Sequence, residues 1–202
     1  MAQPLVDVRG LSVRIDVHGH SATVVDGLSF SVAPGEVLCI VGESGCGKTV
    51  TARAIMGLTR SDPRFAVTGE ILFDGRVLIR LDEAELRRVR GAGMGMIFQD
   101  PMPSLNPLHR IGERIGEALA THGYRGRRVR RQRVIDLLQQ VGIPNPEARI
   151  DDYPHQFSGG MRQRAMVAMA LACGPSLLIA DEPTTECLIP GFDGAIFSMA
   201  WK

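Results

Sequence analysis

The sequence predicts an α/β fold with a parallel core sheet, an antiparallel β subdomain and an inserted helical subdomain. Three observations support this fold class. An apolar run at 37–41, which predicts a buried strand, leads into a glycine-rich turn and then into a helix-compatible stretch, which is the order of a strand–loop–helix unit. Residues 5–41 alternate apolar and polar side chains around turn signals, as antiparallel strands do. Residues 111–141 follow a helical period without a strand signal.

The glycine-rich turn has the pattern of a P-loop. Its residues are Gly42, Glu43, Ser44, Gly45, Cys46, Gly47, Lys48 and Thr49. The glycines let backbone N–H groups close around phosphate oxygens, and the helix start adds a partial positive charge. We expect Lys48 to meet the β- and γ-phosphates and the Thr49 hydroxyl to ligate Mg²⁺. A chance match is the alternative, but the strand before the loop and the helix after it argue against chance.

Turn signals divide the first part of the chain into short strands. Gly19 lies between His18 and His20 in a polar stretch, which indicates a solvated turn more than a metal site. The pair at 34–35 is Pro-Gly, and Asp-Gly at 74–75 separates two apolar runs. The second of these is a strong hairpin signal. We therefore predict several short antiparallel strands before the P-loop and a hairpin after its helix.

A second apolar strand is predicted to end at a functional glutamine. Residues 81–90 carry acids early and bases late, which suits a short helix. The run at 94–98 is then predicted to be a central strand that delivers Gln99 to its end. Three prolines punctuate residues 99–107, so an ordered loop is expected to leave the sheet there.

An arginine run lies within the predicted helical subdomain, which is broken near Gly123 and Gly126. Residues 125–133 hold six arginines. A nucleic-acid patch is one interpretation, but a solvated helix face is more probable because Tyr124 alone supplies an aromatic side chain. An acidic partner surface is a third interpretation.

A second helix start follows at residues 157–164. Ser158 is placed as the N-cap, and Gly159 and Gly160 open the helix, which Gly-Pro at 174–175 ends. The plain interpretation is a capped helix. The functional interpretation is a second helix N-terminus that grips an anion.

Two carboxylates end the buried apolar run at 177–180. Asp181 and Glu182 would lie at the carboxyl end of a strand, where open α/β sheets bind ligands. In a chain that already has a P-loop, this pair fits a Walker B segment. Asp181 is then expected to hold Mg²⁺ through its water shell, and Glu182 to orient and polarise the attacking water. An isolated Asp-Glu pair would more often be a solvated turn.

Composition excludes several classes of protein. The net charge of +1 gives no general argument for nucleic acid or for an acidic membrane surface. No apolar run reaches bilayer length and no signal-peptide pattern begins the chain, so we expect it to stay in the cytoplasm. The four cysteines lack C-x-x-C spacing, which argues against zinc or a disulfide framework. Cys39 and Cys173 lie in apolar runs and are predicted to be core residues.

The order of these motifs resembles the nucleotide-binding subunits of ABC transporters. The order is a P-loop, a glutamine after an apolar strand, a Ser-Gly-Gly signature and a Walker B segment. The amino-acid sequences of the motifs at 42–49, 97–107, 157–164 and 180–185 most resemble those of one subfamily. This subfamily energises bacterial dipeptide, oligopeptide and nickel importers. The resemblance covers roughly residues 5–185.

The resemblance implies a P-loop NTPase with a RecA-like core that hydrolyses ATP with Mg²⁺. Two such subunits close head to tail, so Ser158, Gly159 and Gly160 would contact the ATP of the partner subunit. Gln99 would sense the γ-phosphate and the metal. The implied partners are a second ATPase subunit, two transmembrane permease subunits and, indirectly, a solute-binding protein. The implied location is peripheral, on the cytoplasmic face of the bacterial inner membrane, and no nucleic acid is expected.

The resemblance also sets domain boundaries. It implies an ATP-binding domain over 1–185, with a core at 1–100 and 155–185 and a helical subdomain at about 101–154. Residues 186–202 then form a tail outside the family. This tail lacks the family's dimer-contact aspartate and switch histidine, and residues 6–29 offer no aromatic side chain for adenine.

We interpret the chain as truncated after Walker B, with the C-terminal part of the core missing. Apolar surface near Leu177, Leu178 and Ile179 is therefore expected to be underprotected. The apolar segment 195–201 either covers part of that gap or promotes aggregation. The chain is expected to bind nucleotide weakly and to turn it over poorly. The alternatives are a non-functional remnant or a soluble ABC ATPase that acts on nucleic acid.

Overall fold

The structure is a computed structural model that describes residues 3–17, 19–98, 105–181 and 194–200. Its strands are β1 (Val6–Val17), β2 (His20–Val32), β3 (Val37–Val41), β4 (Phe65–Phe73), β5 (Arg76–Val77), β6 (Met94–Ile97), β7 (Leu177–Asp181) and β8 (Ala195–Ala200). Its α-helices are α1 (Lys48–Ile55), α2 (Glu83–Ala92), α3 (Ile111–Thr121), α4 (Arg127–Gln140), α5 (Pro146–Arg149) and α6 (Gly159–Leu171). Two 3₁₀ turns lie at Leu78–Arg80 and Pro154–Gln156.

The first sheet is antiparallel, with the strand order β2-β1-β4-β5. The alternating pattern before the P-loop forms two long strands instead of the several short ones predicted, because bulges in the β1–β2 register bend the strands without ending them. The hairpin at Asp74-Gly75 is confirmed. Both residues have positive φ, 48° and 73°, as the turn favoured between two such strands requires.

The second sheet is parallel, with the order β3-β8-β7-β6. Strand β8 lies between β3 and β7 and pairs with both. The expectation that Leu177, Leu178 and Ile179 are underprotected is wrong, because these side chains are 0–1% exposed. The alternative, in which the segment after residue 194 covers the gap, is confirmed.

Two predictions about strand position are wrong. Strand β3 was expected to be buried, yet Val37 and Val41 are 65% and 54% exposed, and Cys39 on the same face is exposed. Strand β6 was expected to be central. Both strands lie at edges of the parallel sheet within the described residues, so each pairs on one side only. In β3, Leu38 and Ile40 still face the core.

The helices follow the sequence pattern closely. Helix α2 begins after Asp82, whose side chain accepts a hydrogen bond from the Glu85 N–H, while the Glu85 side chain accepts one from the Asp82 N–H. This reciprocal capping satisfies two backbone donors at the helix start. The predicted helical stretch is split between α3 and α4, at the glycines expected to break it.

The arginine run forms an exposed face of α4. Arg127, Arg128 and Arg131 are exposed, in agreement with the interpretation as a solvated helix face. Arg131 forms two hydrogen bonds with Asp151, at 3.2 and 2.9 Å. These bonds favour the carboxylate form and lower the pKa of Asp151.

Two apolar clusters lie on opposite sides of the parallel sheet. One joins α1 and the antiparallel sheet to side chains such as Ile179 and Phe197. The other joins α3, α4 and α6 to side chains such as Leu178 and Ala180. Within the described residues, no helix combines the length and apolar character that crossing a bilayer requires. The parallel sheet therefore connects the two halves of the core.

We predict that Phe197→Ala destabilises the fold by about 3–5 kcal/mol. Phe197 is 1% exposed and stacks on Phe30 of the antiparallel sheet with ring centroids 5.0 Å apart, so its loss would leave a cavity between the two sheets. Urea unfolding measures the change. Val129→Ala is the control because Val129 is 59% exposed. A loss below about 1 kcal/mol for Phe197→Ala would show that β8 does not pack as described.

Candidate functional site

The P-loop is placed by the parallel sheet and braced by the antiparallel one. It leaves the end of β3 and enters α1 at Lys48. Gly47 is the N-cap of α1 and has a φ of 89°. A Cβ atom on Gly47 would lie 2.7 Å from the carbonyl oxygen of Val24 on β2. Only glycine fits here, both for its backbone conformation and for the close approach of β2.

Lys48 folds back across the loop. Its Nζ donates hydrogen bonds to the carbonyl oxygens of Gly42 and Glu43, each at 2.7 Å, and lies 3.6 Å from the Cys46 Sγ. Lys48 is 7% exposed, so the ammonium is largely desolvated. A phosphate oxygen is a stronger, charged acceptor for such an ammonium than a neutral carbonyl. The expectation that Lys48 meets the β- and γ-phosphates stays a prediction.

Thr51 supports the loop from below, a role that the motif analysis missed. Its hydroxyl donates to the Gly47 carbonyl oxygen at 3.0 Å, and the Thr51 backbone N–H bonds the same oxygen at 2.8 Å. The Thr51 side chain is buried. The sequence did contain a signal for this role, because Thr51 lies in the first turn of α1, where a hydroxyl can donate to the carbonyl oxygen one turn earlier.

Thr49 and Asp181 meet at the centre of the site. The Thr49 hydroxyl donates to Asp181 Oδ1 at 3.0 Å, across a sequence separation of 132 residues. Asp181 ends β7 and is 2% exposed. Since parallel strands place their carboxyl ends at one edge of the sheet, the start of α1 and the end of β7 come together there. The structure thus brings together the two residues that were expected to hold Mg²⁺, and their role as metal ligands stays a prediction.

The Thr49–Asp181 pair has suitable chemistry for Mg²⁺. Hydroxyl and carboxylate oxygens are hard ligands, and Mg²⁺ is usually bound by one or two protein oxygens together with water and substrate phosphates. No cluster of three or more His, Cys, Asp or Glu side chains suited to a metal occurs in the described part of the chain. A site that binds Mg²⁺ together with phosphate does not need such a cluster, because phosphate and water supply the other ligands. Gln99 and Glu182 lie outside the described residues.

The second helix start is also present. The Ser158 hydroxyl accepts a hydrogen bond from the Met161 N–H at 3.3 Å, so the predicted N-cap is confirmed. Ser158 and Gly159 are exposed and Gly160 is half-buried. The structure thus brings together Lys48, Thr49 and Asp181, and leaves the Ser-Gly-Gly segment on the surface.

Comparison with known proteins places this chain among ATP-binding cassettes. The family model described as "ABC transporter" matches residues 25–185. The oligopeptide transport ATP-binding protein OppD of Bacillus subtilis is 49% identical over 181 residues, which are 90% of this chain and 51% of that protein. The dipeptide transport ATP-binding protein DppD of Escherichia coli is 52% identical over 181 residues, 90% of this chain and 55% of that protein. The chain spans about half the length of these relatives.

Solved structures agree with the fold. A dimeric ATP-binding cassette in a post-hydrolysis state with ADP and Pi superposes with a TM-score of 0.83 at 24% identity, covering 96% of this chain and 87% of that one. The protein cbiO1 from Clostridium perfringens, part of an ABC transporter complex, superposes with a TM-score of 0.76 at 23% identity, covering 100% of this chain and 80% of that one. At this identity the likeness concerns the fold alone.

We predict that Gly47→Ala destabilises the fold much more than a Gly→Ala change at a position where the positive φ is the only obstacle. Gly35→Ala is the matched control, because Gly35 also has a positive φ but a Cβ atom there meets nothing within 4 Å. Backbone strain alone should cost about 1 kcal/mol, and the clash with Val24 should add about 1–3 kcal/mol. Urea unfolding of both variants gives the difference. Equal losses would contradict the close contact between β2 and the loop.

Proposed function

Because this chain belongs to the ABC transporter family, we propose that it is an ATP-binding subunit that energises peptide import through membrane permeases. The family assignment confirms the resemblance inferred from the motifs. The names of its relatives, oligopeptide and dipeptide transport ATP-binding proteins, support the choice of peptides as the transported class. The proposed reaction converts ATP and water to ADP and phosphate.

One observation carries the proposal. The hydrogen bond between Thr49 and Asp181 brings the P-loop helix and the end of β7 to one point, with the ammonium of Lys48 on the adjacent loop. Together they provide a cation for the phosphates and a pair of hard oxygens for the metal that accompanies them.

The residues then divide the chemistry between them. Lys48 exchanges the loop carbonyls for β- and γ-phosphate oxygens, which neutralises charge on the phosphates. Thr49 and Asp181 would hold Mg²⁺, together with Gln99. When bound, the metal would supply positive charge that stabilises the negative charge developing on the phosphate oxygens. Glu182 orients the attacking water and accepts its proton as the terminal phosphate bond breaks.

The exposed Ser158–Gly160 segment suits a role in a partner subunit's site. A helix N-terminus offers unpaired N–H donors and a partial positive charge to an anion. We propose that Ser158, Gly159 and Gly160 bind the γ-phosphate of ATP held by a second ATPase subunit, in a head-to-tail dimer. Closure with ATP and opening after hydrolysis would then drive two permease subunits, with the chain peripheral to the cytoplasmic face of the membrane.

We predict that Lys48→Ala weakens the binding of Mg-ATP at least about tenfold, because a charge-assisted contact to phosphate is lost. Titration with a fluorescent ATP analogue measures the affinity. Arg53→Ala is the control, because Arg53 is an exposed cation in the last turn of the same helix. Unchanged affinity in a folded Lys48→Ala variant would refute the proposed phosphate site.

We predict that Gly159→Asp abolishes ATP-dependent dimer formation without weakening ATP binding by the single subunit. A side chain on Gly159 meets nothing within 4 Å, and a carboxylate near a helix N-terminus is favourable, so the fold should be retained. The new charge would repel the partner's γ-phosphate. Sedimentation with Mg-ATP measures dimerisation, and Gly116→Asp, also in open space, is the control. Normal dimerisation of Gly159→Asp would exclude the role in the partner's site.

A further inference from the structure

Helix α1 begins without the side chain that usually caps a helix start. Its N-cap is Gly47, and no side-chain hydrogen bond caps the helix. A capping hydroxyl or carboxylate would accept a hydrogen bond from the N–H of the second or third helical residue, here Thr49 or Val50. Glycine is also the most flexible residue. The orientation of the peptide between Gly47 and Lys48 therefore depends on contacts from other residues.

Thr51 holds this peptide at its carbonyl end. The Thr51 N–H and the Thr51 hydroxyl both donate to the Gly47 carbonyl oxygen, at 2.8 and 3.0 Å. The N–H bond is the ordinary bond of an α-helix, whereas the hydroxyl bond depends on the residue type at position 51. Thr51 is 3% exposed, so water does not compete for its hydroxyl. The close approach of Val24 also leaves Gly47 little room to move.

A bond at the carbonyl end also sets the direction of an N–H group. A trans peptide is planar, so its C=O and its N–H point in opposite directions. The Gly47 C=O points into α1, toward Thr51. The N–H of the same peptide belongs to Lys48, and it therefore points out of the helix start, toward the glycine-rich loop. In a P-loop, backbone N–H groups at this place cradle the α- and β-phosphates.

We propose that Thr51 is a positioning residue for phosphate binding, a role that rests on the phosphate site proposed above. The Thr51 side chain does not touch the nucleotide. Its hydroxyl fixes the peptide between Gly47 and Lys48 from the carbonyl side, so the Lys48 N–H is directed at the phosphates before the nucleotide arrives. A side-chain cap would also fix the helix start, but it would occupy N–H donors that the phosphates use.

The chain contains a matched control for this hydrogen bond. The Thr121 hydroxyl donates to the Glu117 carbonyl oxygen at 2.9 Å, across the same four-residue separation. Thr121 is an exposed residue at the end of α3. Threonine hydroxyls often bond the carbonyl one turn earlier in a helix, so the bond alone indicates no function. What distinguishes Thr51 is the peptide that its hydroxyl holds, at the junction of the glycine-rich loop and α1.

The experiment titrates Thr51→Val, Thr51→Ser and Thr121→Val with fluorescent analogues of Mg-ATP and Mg-ADP. Thr51→Val keeps the shape of the side chain and removes the hydroxyl, so both nucleotides should bind about three- to tenfold more weakly. The factor should be the same for both, because the positioned N–H serves phosphates that ATP and ADP share. Thr51→Ser keeps the hydroxyl and should bind like the wild-type chain. Thr121→Val should also bind normally.

Thermal unfolding shows that each variant is folded at the temperature of the titration. If Thr51→Val does not fold, Thr51→Ala replaces it in the comparison with Thr51→Ser. Wild-type affinity without the hydroxyl, equal losses in Thr51→Val and Thr51→Ser, or a loss for ATP but not for ADP would each overturn the positioning role.

Lys48→Ala distinguishes this failure from a failure of the phosphate site itself. Weaker binding by Lys48→Ala, together with normal binding by Thr51→Val, would refute only the positioning role of Thr51. Normal binding by a folded Lys48→Ala variant would refute the phosphate site, and the role of Thr51 with it.

Discussion

The pairing of β8 with both β3 and β7 is the constraint on which the phosphate site depends. Val41, at the end of β3, pairs with Ala200, and Asp181, at the end of β7, pairs with Met199. Because neighbouring strands lie about 4.8 Å apart, β3 and β7 end about 10 Å from each other. The loop after β3 and the first residue of helix α1 span that gap. Because of this spacing, the Thr49 hydroxyl reaches Asp181.

The phosphate site contains several features that lower the stability of the fold, and favourable packing elsewhere must offset them. Lys48 and Asp181 are charged side chains that are almost fully buried, and Gly47 holds a backbone conformation that other residues rarely adopt. Hydrogen bonds from Lys48 to the loop carbonyls and from Thr49 to Asp181 compensate part of the desolvation. Such an arrangement suits the proposed binding of phosphate groups, because its donors are already positioned.

Local signals in the sequence predicted the local parts of this structure well. The loop at 42–49, the Ser158 cap and the Asp74-Gly75 turn each depend on residues within one short stretch, so their chemistry can be read directly. The errors concern long-range pairing. An apolar run such as 37–41 has the same appearance in a central strand and in an edge strand, and the place of β8 depends on strands far away in sequence.

Helix α1 is held at both ends by hydrogen bonds. At its start, the Thr51 hydroxyl and backbone N–H bond the Gly47 carbonyl beneath the P-loop. Past its end, Arg90 of α2 donates hydrogen bonds to the Met56 and Gly57 carbonyl oxygens at 2.7 and 2.8 Å, which satisfies acceptors that a helix terminus leaves open. The bonds past its end thus fix α1, the helix that carries Lys48 and Thr49, relative to α2.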